Sequence, residues 1–257
     1  MAAKLAHADI WAPVRAQLTR RPRAPLDWND VDLVVFDVDG TLYDERRLRL
    51  AMLRQLLSAA WRARSLDTLR TLRTFRRVRE SLSDQPGSDF MQLQYLMTAD
   101  RHRKDPEEVR ALTQEWIDRA PLPLLETCRY PYVDAVFHGL KSQGKQVAVF
   151  SDYPALEKMA ALGLRANPIV CVTDPGVRRL KPDPYGLLSI LERTGTRPQR
   201  ALMIGDRFER DALAAERAGV RALIRSKRPH WRFDTFRAFN DPVFQPLLVR
   251  AGLAAAA

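Results

Sequence analysis

The chain has 257 residues, of which 46% are hydrophobic, which excludes global disorder and allows either one large domain or a core carrying a smaller inserted module. Lys and Arg total 42 against 31 Asp and Glu, a formal net charge of +11; such a surface draws anions (phosphorylated metabolites, nucleic acid or an acidic membrane face), and a merely solvated arginine-rich surface has the same balance. Cys128 and Cys171 lie outside any CxxC spacing, and His7, His102, His138 and His230 are scattered, which argues against a disulfide framework or a zinc site and for a reducing compartment.

In chain order, residues 1–30 read as a basic N-terminal extension, with the segment RRPRAP an extended strap. Lys4, His7, Asp9 and Arg15 interrupt it before an apolar signal-peptide run develops, and nothing approaches the ~20 apolar residues of a membrane span. A soluble, cytoplasmic protein is expected. Val31–Asp37, Gln146–Ser151, Ile169–Thr173, Ala201–Ile204 and Arg221–Ile224 are short apolar runs without alternation, the pattern of strands buried on both faces of a parallel sheet. Helical segments separate most of them: Tyr132–Gln143 ending at Gly144, Pro154–Leu162 ending at Gly163, a helix capped by Asp183 with Pro184 in its first turn and ending near Gly195, and Phe208–Ala218 ending at Gly219. Alternating strand and helix predicts an α/β fold, a Rossmann-like parallel sheet flanked by helices.

The stretch from Asp44 to Arg129 breaks that rhythm. Leu48, Met52, Leu53, Leu56, Leu57, Ala60 and Trp61 recur at helical spacing, as do Leu66, Leu69, Leu72, Phe75 and Val78, and Asp105-Pro106-Glu107-Glu108 opens another helix reaching about Arg119. An all-helical insertion over 45–129 is therefore expected, dividing a core made of 31–44 and 130–257.

Where the first strand ends stands Phe36-Asp37-Val38-Asp39-Gly40-Thr41-Leu42. Asp37 and Asp39, at i and i+2, project to one side of a strand end, the edge at which open parallel sheets bind ligands. Two carboxylates so close need a cation between them, and oxygen ligands without histidine favour Mg2+.

DVDGTL resembles the first motif of the haloacid dehalogenase (HAD) superfamily, and three further matches follow in the family's order: Ser151 ending VAVFS, Lys181 in RLKPDP, and Gly205-Asp206-Arg207-Phe208-Glu209-Arg210-Asp211 after ALMI. The likeness spans roughly residues 33–225. It implies a phosphatase in which Asp37 is the nucleophile, Asp39 the general acid and base, and Lys181 a catalytic cation. Thr41, Ser151 and Lys181 would bind phosphate. Asp37, the backbone carbonyl of Asp39, and Asp206 would hold Mg2+, with Asp211 supporting them from behind. The helical insertion corresponds to the family's C1-type cap. Dehalogenating members carry a non-acidic residue where Asp39 stands, which favours phosphate chemistry, and Asp152, standing where many members have Asn, is expected to turn its charge away from the phosphate. Eleven arginines fall between Arg46 and Glu80; Arg46, Arg47 and Arg49, nearest the hinge, are the candidates for gripping an anionic substrate. The partner is then a small phosphorylated metabolite. Phosphotransferase or phosphomutase chemistry on the same core remains open, as does a basic protein binding nucleic acid or an anionic membrane through a HAD-like fold.

Overall fold

The computed structural model describes residues 24–82, 90–174 and 176–249. Six parallel strands form one sheet in the order β3-β2-β1-β4-β5-β6: β1 Leu33–Phe36, β2 Gln146–Ser151, β3 Ile169–Cys171, β4 Ala201–Gly205, β5 Arg221–Arg225 and β6 Asp234–Phe236. β1 is the central strand and all four of its side chains are fully buried. Val34 and Phe36 enter one apolar layer, with helix α6 (Val133–Ser142) and the C-terminal turn α10 (Gln245–Leu248). Leu33 and Val35 enter the other, against α8 (Tyr185–Thr194) and α9 (Leu213–Arg217). Two covered faces explain why the strands read as continuous apolar runs.

The register places the chemistry. Phe36 lies opposite Val149 of β2 and Ile204 of β4, so Asp37, Ser151 and Asp206 all emerge at the carboxyl edge of three adjacent strands. Strand order reverses at β1, which opens the crevice where such sheets bind ligands.

The insertion is helical throughout its described residues: α1 Glu45–Ala63, α2 Asp67–Leu82, α3 Phe90–His102, α4 Pro106–Thr113 continuing into a wide turn at Gln114–Arg119, and α5 Leu122–Cys128. Asp44 caps α1 by accepting from the amides of Arg46 and Arg47, and Asp105 caps α4 by accepting from Glu107. Leu72, Phe75, Ala99, Val109 and Ile117 form a separate small core. The two chain segments that connect the insertion to the sheet are pinned to one another, Asp44 N to Cys128 O at 2.8 Å and Tyr130 N to Leu42 O at 3.0 Å.

Three expectations are revised and one strand is added. Of the basic extension, residues 1–23 lie outside the described residues, but the remainder does not stand apart: Trp28 is buried in the main core and donates to Val243 O at 2.6 Å. β6 is an addition, too short and too polar to read as a strand. The helix expected at Phe208–Ala218 opens instead as a wide turn, Phe208–Ala212, and becomes regular only from Leu213. Pro154–Leu162 is likewise shortened to α7, Leu156–Ala161.

Candidate active site

Asp37 follows β1 directly, and its amide still donates to Ile204 O of β4 at 2.9 Å. Its carboxylate is held on both sides: Lys181 Nζ donates to Oδ1 at 2.5 Å, and Thr41 Oγ1 to Oδ2 at 2.9 Å. Thr41 is fully buried, and its hydroxyl is turned to Asp37.

Lys181 is the hub. Its ammonium also donates to Asp211 Oδ1 at 2.7 Å and to Phe150 O at 3.2 Å. Burial opposes its charge, but Asp211 and Asp37 outweigh that cost and raise its pKa, so it remains an ammonium. The loop bearing it is fixed by Asp152, whose Oδ1 accepts from Lys181 N at 3.0 Å, and by Arg210, whose guanidinium donates to Lys181 O at 3.0 Å. Asp152 thus turns its charge to the Lys181 loop. Ser151, fully buried at the end of β2, accepts from Tyr153 N at 3.1 Å.

Asp211 folds back from the wide turn after β4. Its Oδ2 accepts from the amides of Asp206 and Arg207 at 3.1 and 3.0 Å. This needs a bare backbone at Gly205, where a Cβ would lie 2.4 Å from the Asp211 side chain. Both Asp211 oxygens are therefore occupied by donors. Its carboxylate lies with those of Asp37 and Asp206 within 4.8 Å.

Asp206 differs. Its Oδ1 is buried without a hydrogen-bond partner, and its carboxylate packs over Gly40, where φ is +86° and a Cβ would come 2.4 Å from Oδ2. Burial first, then repulsion from Asp211, pushes its pKa up to about 7. Asp37 is raised well above the ordinary range by burial too, against the pull of Lys181 and helped by Asp211, Asp206 and Asp39. An orphaned carboxylate oxygen beside a second carboxylate that resists ionisation is a site short of positive charge. An all-oxygen donor set of this kind fits a hard divalent cation such as Mg2+.

Asp39 faces the other way. Lys158 Nζ donates to both of its oxygens, at 2.6 and 2.9 Å, and Tyr43 Oη donates to Oδ1. Burial opposes ionisation here as well, but Lys158 and Tyr43 prevail and the pKa is lowered. The Asp39 side chain is thus outside the acidic cluster, and the expectation that it projects with Asp37 to one side, with a cation between the two carboxylates, is corrected: Asp37 turns to Lys181 and Asp39 to Lys158.

Lys158, Tyr43, Arg210 and Arg79 were not among the expected site residues. Two of them left a signal. Lys158 shares a buried helical stripe with Ala155, Met159 and Leu162, and Arg79 shares one with Leu72, Phe75 and Leu82; a cation at a core-facing position needs a partner. Arg79 finds Gln94 Oε1 at 3.1 Å, the carbonyl of Asp152, and the Tyr153 ring at 4.2 Å, joining the insertion to the turn after Ser151. The hinge arginines do otherwise: Arg46, Arg47 and Arg49 are exposed, and Arg49 pairs with Glu45.

A carboxylate held by a buried lysine, with an acidic cluster beside it, thus stands at the switch point of a parallel sheet. Residues 31–219 match the haloacid dehalogenase-like hydrolase family, and the chain belongs to that family. It is similar to a glyceraldehyde 3-phosphate phosphatase of Methanothermobacter thermautotrophicus, 27% identical over 198 residues that cover 74% of this chain and 84% of that one. A phosphoglycolate phosphatase of Aquifex aeolicus is 26% identical over 198 residues, covering 75% and 83%. Among solved structures, the HAD-hydrolase YfnB of Bacillus subtilis superposes with a TM-score of 0.59 at 14% identity, over 82% of this chain and 96% of that one; at that identity the likeness is one of fold. Within the family, this chain is a phosphatase. Among the described residues, no helix is long and apolar enough to cross a membrane.

Proposed function

We propose that the protein is a Mg2+-dependent phosphomonoester hydrolase that acts on a small phosphorylated metabolite through a phosphoaspartyl intermediate at Asp37. The observation carrying this reading is the division of labour between two aspartates two residues apart: Asp37 is gripped by Lys181 and Thr41, while Asp39 is turned away to Lys158 and Tyr43. A nucleophile and a proton carrier need such different surroundings.

In the first step an Asp37 carboxylate oxygen bonds to phosphorus as the bond to the leaving oxygen breaks, and Asp39 delivers a proton to that oxygen. In the second, water attacks phosphorus, Asp39 takes its proton, and the Asp37–phosphorus bond breaks, giving phosphate and free Asp37. Lys181 offsets the charge of the transferring oxygens while Thr41 keeps Asp37 aimed in line. Ser151, beside it at the strand edge, accepts from Tyr153 N through its oxygen and donates its own O–H to a phosphate oxygen. Asp37, Asp206 and the backbone carbonyl of Asp39 would hold Mg2+, which when bound neutralises the cluster and polarises the phosphoryl group. Asp211 keeps Lys181 and the Asp206 backbone in position. The helical insertion, joined to the turn after Ser151 by Arg79, screens the site from water. The similarity to phosphatases of glyceraldehyde 3-phosphate and phosphoglycolate favours a small phosphorylated acid or aldehyde as substrate.

The test is phosphate release from a panel of phosphosugars, phosphoglycolate, nucleotides and lipid phosphates, with Mg2+ and with chelator. Release from small phosphoesters that needs Mg2+ is expected. Undiminished turnover in chelator, or phosphate passing to an alcohol acceptor in preference to water, would contradict the proposal.

A further inference from the structure

Helix α1 buries only Leu48 and Met52 fully. On its other side Leu50, Leu53, Leu57 and Trp61 are 64%, 43%, 49% and 86% exposed. At 100° per residue these four positions, i, i+3, i+7 and i+11, fall within an arc of roughly 80° facing away from Leu48. The stripe is neither core nor catalytic surface. Arginines border it: Arg46, Arg47, Arg49, Arg54 and Arg62 are all exposed. Glu45 is the one acidic residue of the helix, and Arg49 covers it at 2.6 Å. Next to it, α2 turns Arg70, Arg73, Arg76 and Arg77 outward.

A contiguous apolar surface rimmed by charge marks a binding face, and the charge selects the occupant. A second copy would bring two such helices together, each with five arginines and one glutamate, and like charges would repel. Nucleic acid satisfies the guanidinium groups but offers no apolar layer for three leucines and a tryptophan on the same arc. The boundary of an acidic bilayer supplies both, anionic headgroups for the rim and acyl chains for the stripe. We propose that the outer face of α1 is a peripheral docking surface for an anionic lipid bilayer. The helix lies on the surface and does not span: its apolar side chains occupy one arc only, and Arg47, Arg54 and Arg62 reach the headgroup level beside them.

The full-length protein is sedimented with vesicles of phosphatidylcholine alone and of phosphatidylcholine with phosphatidylglycerol. The wild type is expected to sediment with the acidic vesicles only, and less as salt rises. Leu53→Ser/Leu57→Ser/Trp61→Ser, and separately Arg54→Glu/Arg62→Glu, are each expected to weaken binding about tenfold or more, with circular dichroism and melting temperature confirming that both variants fold. Failure of the wild type to bind acidic vesicles, equal binding to neutral ones, or undiminished binding by the folded serine variant would overturn the proposal. So would tighter, equally variant-sensitive binding to duplex DNA, or a wild-type dimer that the serine variant converts to a monomer.

Discussion

At Asp206 burial and the Asp211 carboxylate raise the pKa to about 7 from an ordinary 3.8. The folded chain therefore holds this proton more tightly than the unfolded one. Its contribution to metal-free stability is complete below the unfolded value and is lost as pH rises through the folded value near 7. Mg2+ competes with that proton, so the rise in melting temperature on adding Mg2+ should grow between about pH 6 and about pH 8. Thermal unfolding at several pH values reads this directly; a shift independent of pH, or one retained by Asp206→Asn, would count against the assigned ligand. Lys158 acts in the opposite sense. It holds the Asp39 pKa down despite burial, so Lys158→Met should raise it and move the limb of the rate profile that Asp39 sets to higher pH, with kcat falling by about tenfold or more. An unchanged profile and rate would show that Lys158 serves packing alone.

At the scale of elements, the insertion meets the sheet through α2 and the turn after β2. Arg79 is buried and tied to Gln94 and the Asp152 carbonyl. Arg79→Met keeps much of the volume but leaves those acceptors unpaired, at a cost of about 1–3 kcal/mol. The turn it holds follows Ser151, so KM for the phosphoester should rise more than kcat falls. Denaturant unfolding with steady-state kinetics would check both; full stability with unaltered KM would refute the link. Gly205→Ala acts on β4: its Cβ would overlap Asp211, and overpacking there should destabilise by about 1–3 kcal/mol and cut activity sharply by moving Lys181. Retention of wild-type turnover would argue against a fixed Asp211. Much of this level was legible in the sequence because one physical pattern dominated each element: continuous apolar runs for strands buried on both faces, and Leu72, Phe75 and Val78 at helical spacing for α2. What escaped was set by tertiary contact. The wide turn at Phe208–Ala212 is shaped by Asp211 reaching back to the amides of Asp206 and Arg207, and no local preference announces it. β6 is three residues long and takes its order from pairing with β5 and from the burial of Phe236 against Phe239 and Phe244.

For the molecule as a whole, sequence patterns separated by more than a hundred residues converge because parallel strands deliver their ends to one edge. The Asp37–Asp39 pair was readable on that ground, at a strand end, whereas Ser151, Lys181, Asp206 and Asp211 were readable through the resemblance of their segments to the family's motifs, met in the family's order. Lys158 was not: it reaches Asp39 from the middle of α7, and only its place in an apolar stripe hinted at a buried role. The central claim is that Asp37 carries the phosphoryl group. Wild-type enzyme turning over a labelled phosphoester with Mg2+, quenched in acid and digested, should yield a labelled peptide containing Asp37, and Asp37→Asn should show neither label nor turnover above about a thousandth of wild type. Label on another residue, or substantial turnover in Asp37→Asn, would contradict it.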